Sequence, residues 1–329
     1  MGVLEQYSNL MVDKYENFPQ GKFLTLFILR KTESEVIFRT EGSGEDLSKE
    51  VVYAGIENRE LIPRVVISKR KQTAVERRTG RELLRANSLL FYDKGNREGK
   101  LEDICALNRN KPCGICVDCM IYGYAVGGGG AQKSRVITDD AFSILPYTKV
   151  TAKRTFNALY DNNTMRDPIT KEPSSSIQED QYVKPEALFI DMETLKDLTL
   201  SEVKYVLGNI LRSRRYGAIS SRMGKMRNEI VHAIFSDCEL FSNLELTQEV
   251  FDLLKSKYGD LSFPLDAAKV KSAMMKAILE LSDEVVGNLI ALSLDEVTEL
   301  VAEIRTLFAD TEKVTGFLQE VTNLYAEQG

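Results

Sequence analysis

Apolar and polar positions fall into short strand-like runs near the start of the chain and into helical periodicity toward its end. Lys22–Arg30 sets branched and aromatic residues behind the Pro19-Gln20-Gly21 turn, which predicts a buried strand. A second strand is expected over Glu35–Thr40, a loop over Glu41–Gly44, and one or two strands with irregular connections up to Pro63. Lys71–Leu90 repeats as a helix. Arg77, Arg78, Arg81 and Arg85 fall on one side and Val75, Leu83, Ala86 and Leu90 on the other, predicting a cationic rail opposite a core-facing stripe. Tyr92–Gly130 is irregular, Lys133–Leu145 predicts a strand, and Thr148–Pro185 is polar and broken by Asp167-Pro168 and by the tract Pro173–Ser176. That stretch predicts an extended hairpin, with a further strand over Glu186–Met192. Thr199 and Glu202 form a capping box that starts a helix to Arg212; a glycine-bearing turn and a strand follow within Tyr216–Phe235. From Thr247 the pattern is helical, with cap signals at Ser293 with Glu296 and at Thr311.

Without its excursions the order is strand, helix, strand, strand, helix, strand. This βαββαβ order predicts an α+β, ferredoxin-like fold of the kind shared by RNA-recognition-motif domains, with long insertions in three connections and added C-terminal helices. Fold order alone does not establish function.

The longest apolar runs, such as Phe23–Leu29, are far shorter than the roughly 20 residues that cross a bilayer, so a soluble chain with no membrane partner is expected. Met1–Tyr15 carries early charges and no apolar signal core, which predicts a cytoplasmic location. The formal charge of -6 disfavours nucleic acid at first sight. Its distribution reverses this: Asp237–Gly329 holds 18 Asp and Glu against 7 Lys and Arg, leaving a net of +5 on residues 1–236.

Five cysteines include four in the pattern C-x7-C-x2-C-x2-C: Cys105, Cys113, Cys116 and Cys119. Thiolates at this density repel unless a cation gathers them, and four sulfurs match the tetrahedral preference of Zn2+ in a closed, structural site. An iron–sulfur cluster is the alternative that the short spacings also allow. Cys238, beside Phe235 and Leu240, is expected to be an apolar core residue.

Two runs of positive charge stand out against the acidic whole. Arg64–Arg85 contains eight Lys or Arg, among them Lys69, Arg70 and Lys71, against two Glu. Lys204–Arg227 contains seven and no acidic residue. Together they point to a polyanion site rather than two solvated faces. Gly127–Gly130, followed by Lys133, Ser134 and Arg135, lets backbone amides approach phosphates, although a plain flexible loop reads the same. In the turn from Tyr216 to Lys225, glycines flank Ser221, Arg222 and Met223, which suits a sugar–phosphate path or a tight hairpin. The one histidine, His232, lies in an apolar strand, so His-dependent hydrolysis is not expected. Asp139, Asp140, Asp161 and Asp167 are the residues that a metal-dependent nuclease would use.

The combination of Cys113–Cys119, Gly123 with the glycine-rich loop, Ser134-Arg135-Val136, Asp140-Ala141 and Tyr216–Gly224 resembles the Cas-seven backbone subunits of CRISPR effector complexes. It is most similar to the Csc-two subfamily of type I-D Cascade. The resemblance covers about residues 20–240 and implies an RNA-recognition-like palm over residues 1–240. It further implies inserted fingers at about 32–66 and 91–132, a thumb hairpin at about 148–185 and an acidic helical region at 241–329. It implies a non-catalytic subunit, several copies of which stack along one guide RNA (crRNA). The guide backbone would be held by Lys69, Arg70, Lys71, Arg77, Arg78, Arg81, Lys133, Ser134, Arg135, Lys153, Arg154, Ser221, Arg222, Met223 and Lys225, with Met165 as a wedge between bases. The implied partners are other copies of the chain, target DNA or RNA through base pairing, and the large, small, guide-end cap and guide-processing subunits of Cascade. The competing expectations are periodic cleavage of target RNA or single-stranded DNA by the aspartates, and a free-standing zinc-containing RNA-binding module.

Overall fold

The computed structural model describes residues 2–39, 47–90, 104–107, 111–127, 130–157, 159–174 and 177–325. The short helix α1 (Val3–Gln6) precedes the strands β1 (Phe23–Thr32), β2 (Lys49–Tyr53) and β3 (Leu61–Ile67), and α2 (Lys69–Ala86) follows β3 almost directly. Helix α3 (Val117–Tyr122) leads into a small hairpin of β4 (Tyr124–Val126) and β5 (Gly130–Gln132). Next come β6 (Val136–Thr138), β7 (Ala141–Ser143), the single turn α4 (Tyr147–Val150), and a second hairpin of β8 (Thr151–Asn157) and β9 (Ile177–Val183). Strand β10 (Leu188–Lys196), α5 (Leu200–Arg212) and β11 (Met226–Ser236) complete the body. The chain continues through α6 (Asn243–Tyr258), α7 (Ala267–Ser282), β12 (Leu289–Ala291), α8 (Leu294–Ala309) and α9 (Thr311–Asn323).

Among the described residues the main sheet has eight strands in the order β12-β11-β1-β10-β7-β3-β2, with β6 also on β10. Strand β1 is paired antiparallel on both sides: Leu26 lies opposite Glu193 of β10 and Ala233 of β11. Its alternate residues enter two separate cores. Leu24, Leu26 and Ile28 meet Leu84 of α2, Val203 and Leu207 of α5, Leu300 of α8 and Leu318 of α9. Phe27 and Leu29 meet Leu246 and Val250 of α6 and Met274 and Ile278 of α7. Covering on both faces explains why β1 reads as one continuous apolar run instead of an alternation. It also means that β1 offers bases no open sheet face to stack on, in contrast to edge strand β2, where Val51 and Tyr53 are exposed.

Several local expectations shift, for identifiable reasons. The strand expected over Lys133–Leu145 is split into β6 and β7 because the chain turns at Asp139-Asp140, where Asp140 Oδ1 accepts the Lys69 backbone N–H at the start of α2, at 2.9 Å. In place of a strand over Glu35–Thr40 there are isolated bridges from Val36 to Val183 and from Arg39 to Leu47; Thr40 and the loop at 41–46 lie outside the described residues. Helix α6 starts before Thr247, at a Ser242/Glu245 capping box. Asp310, not Thr311, caps α9, accepting from Glu312 and Lys313 backbone N–H. Strand β12 interrupts the expected helical run. No described helix is long and apolar enough to cross a membrane.

Candidate nucleic-acid interface and metal centre

The four clustered cysteines converge. Their sulfurs all lie within 4.8 Å of one another, with Cys105 Sγ 3.8 Å from Cys116 Sγ and 3.6 Å from Cys119 Sγ. These separations are too long for disulfides, and every cysteine is a free thiol. Backbone amides point at the sulfurs, Cys113 N–H at Cys105 Sγ (3.3 Å) and Cys116 N–H at Cys113 Sγ (3.2 Å). Among the described residues this is the one group of three or more Cys, His, Asp or Glu that could hold a metal ion, and its four sulfurs would fill all four positions of a tetrahedral ion. Gly123 closes the loop at φ 76°, where a Cβ would lie 2.4 Å from the Gln132 carbonyl oxygen.

Asp118 sits between two of these cysteines on α3 and is fully buried. Arg77 donates to it from Nε (3.0 Å) and Nη2 (2.8 Å), and Arg81 from Nη1 (2.8 Å). Arg81 also donates to Cys105 Sγ at 3.5 Å and to the Cys105 carbonyl. The expected rail of four arginines is therefore divided. Arg78 and Arg85 face solvent, whereas Arg77 and Arg81 clamp the cysteine loop to α2 and neutralise part of the charge that four thiolates would carry.

On the other flank of α2 lies a groove of about 630 Å³. Arg70, Lys71 and Arg78 form one wall, Arg39 and Phe38 another, and the Tyr216-Gly217-Ala218 turn closes it. The groove's cations thus come from the first basic run and from Arg39, while the second run contributes only its uncharged turn. Gly217 holds φ 81°, and a Cβ there would come within 2.5 Å of the Ile37 carbonyl oxygen, so the turn packs as closely as a side-chain-free residue permits. A second hollow of about 420 Å³ on the cysteine side of α2 is lined by Lys69, Arg70, Arg77, Tyr124 and Ser134.

Beneath the groove is a buried ionic network. Arg30, fully buried in β1, donates to Asp191 (2.5 Å), Glu193 (2.7 Å), Asn228 (2.9 Å) and Tyr216 (3.2 Å), and lies 3.0 Å from Glu76 of α2. Tyr216 in turn donates to Glu76 at 3.1 Å. Burial would raise the Asp191 carboxyl, but Lys69 and Arg30 hold it down at about 2. Burial, reinforced by Glu76, pushes the Glu193 carboxyl well above its ordinary value. The network fixes α2 and the Tyr216 turn to the same strands, and so sets the width of the groove.

Other candidate residues are dispersed. Lys69 is buried on Asp191 and Glu193, and Arg135 on Glu202 and Tyr325. Lys71 donates to the Arg39 carbonyl oxygen at 2.6 Å. Lys133 is exposed; Ser134 donates to the Val136 carbonyl oxygen at 2.8 Å; Gly128 and Gly129 lie outside the described residues. On the β8–β9 hairpin Lys153 pairs with Glu179 at 2.7 Å, and Arg154 pairs with Glu35 and lies over the Tyr182 ring. Met165 is half-buried near the far end of that hairpin, where Leu159 and Ile169 are more exposed. In the Tyr216–Lys225 turn, Ser221, Arg222 and Lys225 are exposed and Met223 is buried. Asp139 and Asp140 lie at the β6–β7 break, whereas Asp161 and Asp167 lie on the hairpin, and Asp167 is engaged with Ile169 and Thr170 backbone N–H. His232 is buried in β11, and Cys238 is half-buried. Arg39 and Phe38 of the groove carried no signal in the sequence, because only the fold brings them to α2.

No curated protein sequence matches the chain. Among solved structures it is similar to the crystal structure of Thermofilum pendens Csc2, with a TM-score of 0.62 at 19% identity, covering 100% of this chain and 98% of that one. It is also similar to a chain of a CRISPR RNA-guided surveillance complex described as pre-nicking (TM-score 0.53, 11% identity, 86% of this chain and 99% of that one). A chain of a further CRISPR RNA-guided surveillance complex gives a TM-score of 0.50 at 11% identity, with the same coverages. The model of the family described as Csc2 Crispr matches residues 10–318, nearly the whole chain, and the protein therefore belongs to the Csc2 CRISPR family.

Proposed function

We propose that this chain is a non-catalytic guide-RNA (crRNA) binding backbone subunit of a type I-D Cascade surveillance complex, acting in the cytoplasm. The observation that carries the reading is the groove in which Arg70, Lys71 and Arg78 of α2 face Arg39 and the Tyr216–Ala218 turn. In this reading Arg70, Lys71 and Arg78 would grip phosphates beside Arg39, which lies 3.6 Å from Asp180, and backbone contacts of that kind hold any sequence while base pairing reads the target. Family membership and the fold shared with chains of RNA-guided surveillance complexes support the same reading.

The palm in this reading is ferredoxin-like. Strands β11, β1, β10 and the broken strand β6–β7 lie side by side as fourth, first, third and second, with α2 and α5 on one face. The β8–β9 hairpin is the thumb, whose distal apolar residues, Met165 with Leu159 and Ile169, would wedge between bases. Copies of the chain are its neighbours along the guide, and the large, small, cap and guide-processing subunits its partners.

The metal in this reading is a single structural zinc. Tetrahedral Zn–S bonds of about 2.3 Å place sulfurs about 3.8 Å apart, which the 3.6 and 3.8 Å separations here match. A multi-iron cluster would hold its thiolates farther apart. Cys105, Cys113, Cys116 and Cys119 would be the ligands, and the ion would supply a folding constraint with no open position for chemistry.

Co-expression with a guide RNA tests the assembly. The expected product is an RNA-bound particle containing several copies of the chain; a single RNA-free subunit would remove the basis of the reading.

A further inference from the structure

A third cationic hollow, of about 340 Å³, lies between the end of α5, the start of β11 and α8. Arg212, Arg214, Arg227 and Arg305 line it, all exposed, and no acidic side chain is among its lining residues. Arg214 carries an ion pair to Glu33 at 2.9 Å. Arg212 is held in place differently: its guanidinium lies over the Phe308 ring, 5.8 Å from the centroid. Phe308 is itself pressed onto α5 at Gly208, where a Cβ would come within 2.1 Å of the ring. All four cations are arginines, whose planar forks suit bidentate contact with phosphate oxygens.

The hollow is joined to the groove by one loop. Arg212 and Arg214 precede the Tyr216–Ala218 turn and Arg227 follows it, so one stretch of chain carries both the turn that closes the groove and three of the four arginines of the hollow. We infer that the Arg212–Arg214–Arg227–Arg305 hollow is a second phosphate site, taking the backbone of the same single-stranded RNA where it continues past the groove. This rests on the guide-binding reading. It also gives the otherwise acidic C-terminal region, through Arg305 of α8, a direct part in holding RNA.

The test uses the full-length chain and labelled RNA homopolymers of about 6 and about 24 nucleotides, titrated over a range of salt. One variant carries Arg212→Gln, Arg227→Gln and Arg305→Gln together, a second Arg227→Gln alone, and a third replaces the groove residues Arg70, Lys71 and Arg78 with Gln. The hollow variants should bind the short RNA as the parent does. On the long RNA their log affinity against log salt should flatten by about 0.7 for each phosphate that is no longer neutralised. An unchanged slope on the long RNA, with the groove variant impaired, overturns the second site and leaves the groove reading standing. If the groove variant is also silent, the guide-binding reading fails with it. Loss of self-association with RNA binding intact would make an acidic surface of a second copy the occupant, and would equally overturn the inference.

Discussion

Arg77 and Asp118 form a two-pronged ion pair, at 3.0 and 2.8 Å, that ties the cysteine loop to the helix carrying Arg78 into the groove. Residues next to each other in sequence thus serve opposite flanks of α2, Arg77 the cysteine cluster and Arg78 the groove. The metal should therefore act on RNA binding at a distance. Replacing Cys113 and Cys116 with Ser should remove about one zinc per chain, measured by elemental analysis. It should also weaken RNA binding, although no cysteine lines the groove. Asp118→Asn should keep the ligands but leave Arg77 and Arg81 without their carboxylate, lowering stability by about 3 kcal/mol in chemical unfolding.

This arrangement marks the limit of what the sequence could reveal. The Thr199–Glu202 box was legible because a cap is a local bond, and the cysteine cluster because its members are close in the chain. Periodicity placed an apolar stripe on the first long helix, yet the residues α2 buries include Lys69, Gln72, Glu76 and Arg81. Their partners, Asp191, Glu193, Arg30 and Asp118, lie tens of residues away or more and are supplied only by the fold. Arg135 looks like a phosphate ligand in the sequence for the same reason: its distant partner is Glu202. A run of cations announces positive charge without saying which members are already neutralised inside.

Arg30 separates stability from RNA binding. Arg30→Met removes the one cation shared by Asp191, Glu193 and Glu76, leaving Lys69 alone on the first two, and should cost about 3–5 kcal/mol. Arg78→Ala, on the exposed face of the same region, should change stability by less than about 0.5 kcal/mol while lowering RNA affinity. Thermal unfolding of the two variants checks the first contrast, and filter binding the second. A destabilising Arg78 variant would mean that its side chain belongs to the fold.

The one histidine gives a clean pH prediction. Burial holds His232 below its ordinary value of 6.5, so between the two values the unfolded chain binds a proton that the native state refuses. Its contribution to stability is present above about pH 6.5 and is lost as pH falls through the lower, native value. Midpoints of urea unfolding from pH 7.5 to pH 5 should decline, and His232→Gln should remove part of that decline. An identical pH dependence in the variant would show that the ring is solvated.

The α2 groove is expected to grip a single-stranded RNA backbone without reading its bases. Fluorescence anisotropy with two RNAs of equal length and unrelated sequence, over a range of salt, measures this directly. Equal affinities that fall together as salt rises, with a slope reduced by about 0.7 per phosphate released when Arg70, Lys71 and Arg78 are replaced, are the predicted result. No binding to either RNA at low salt, or a slope indifferent to the triple replacement, would contradict it.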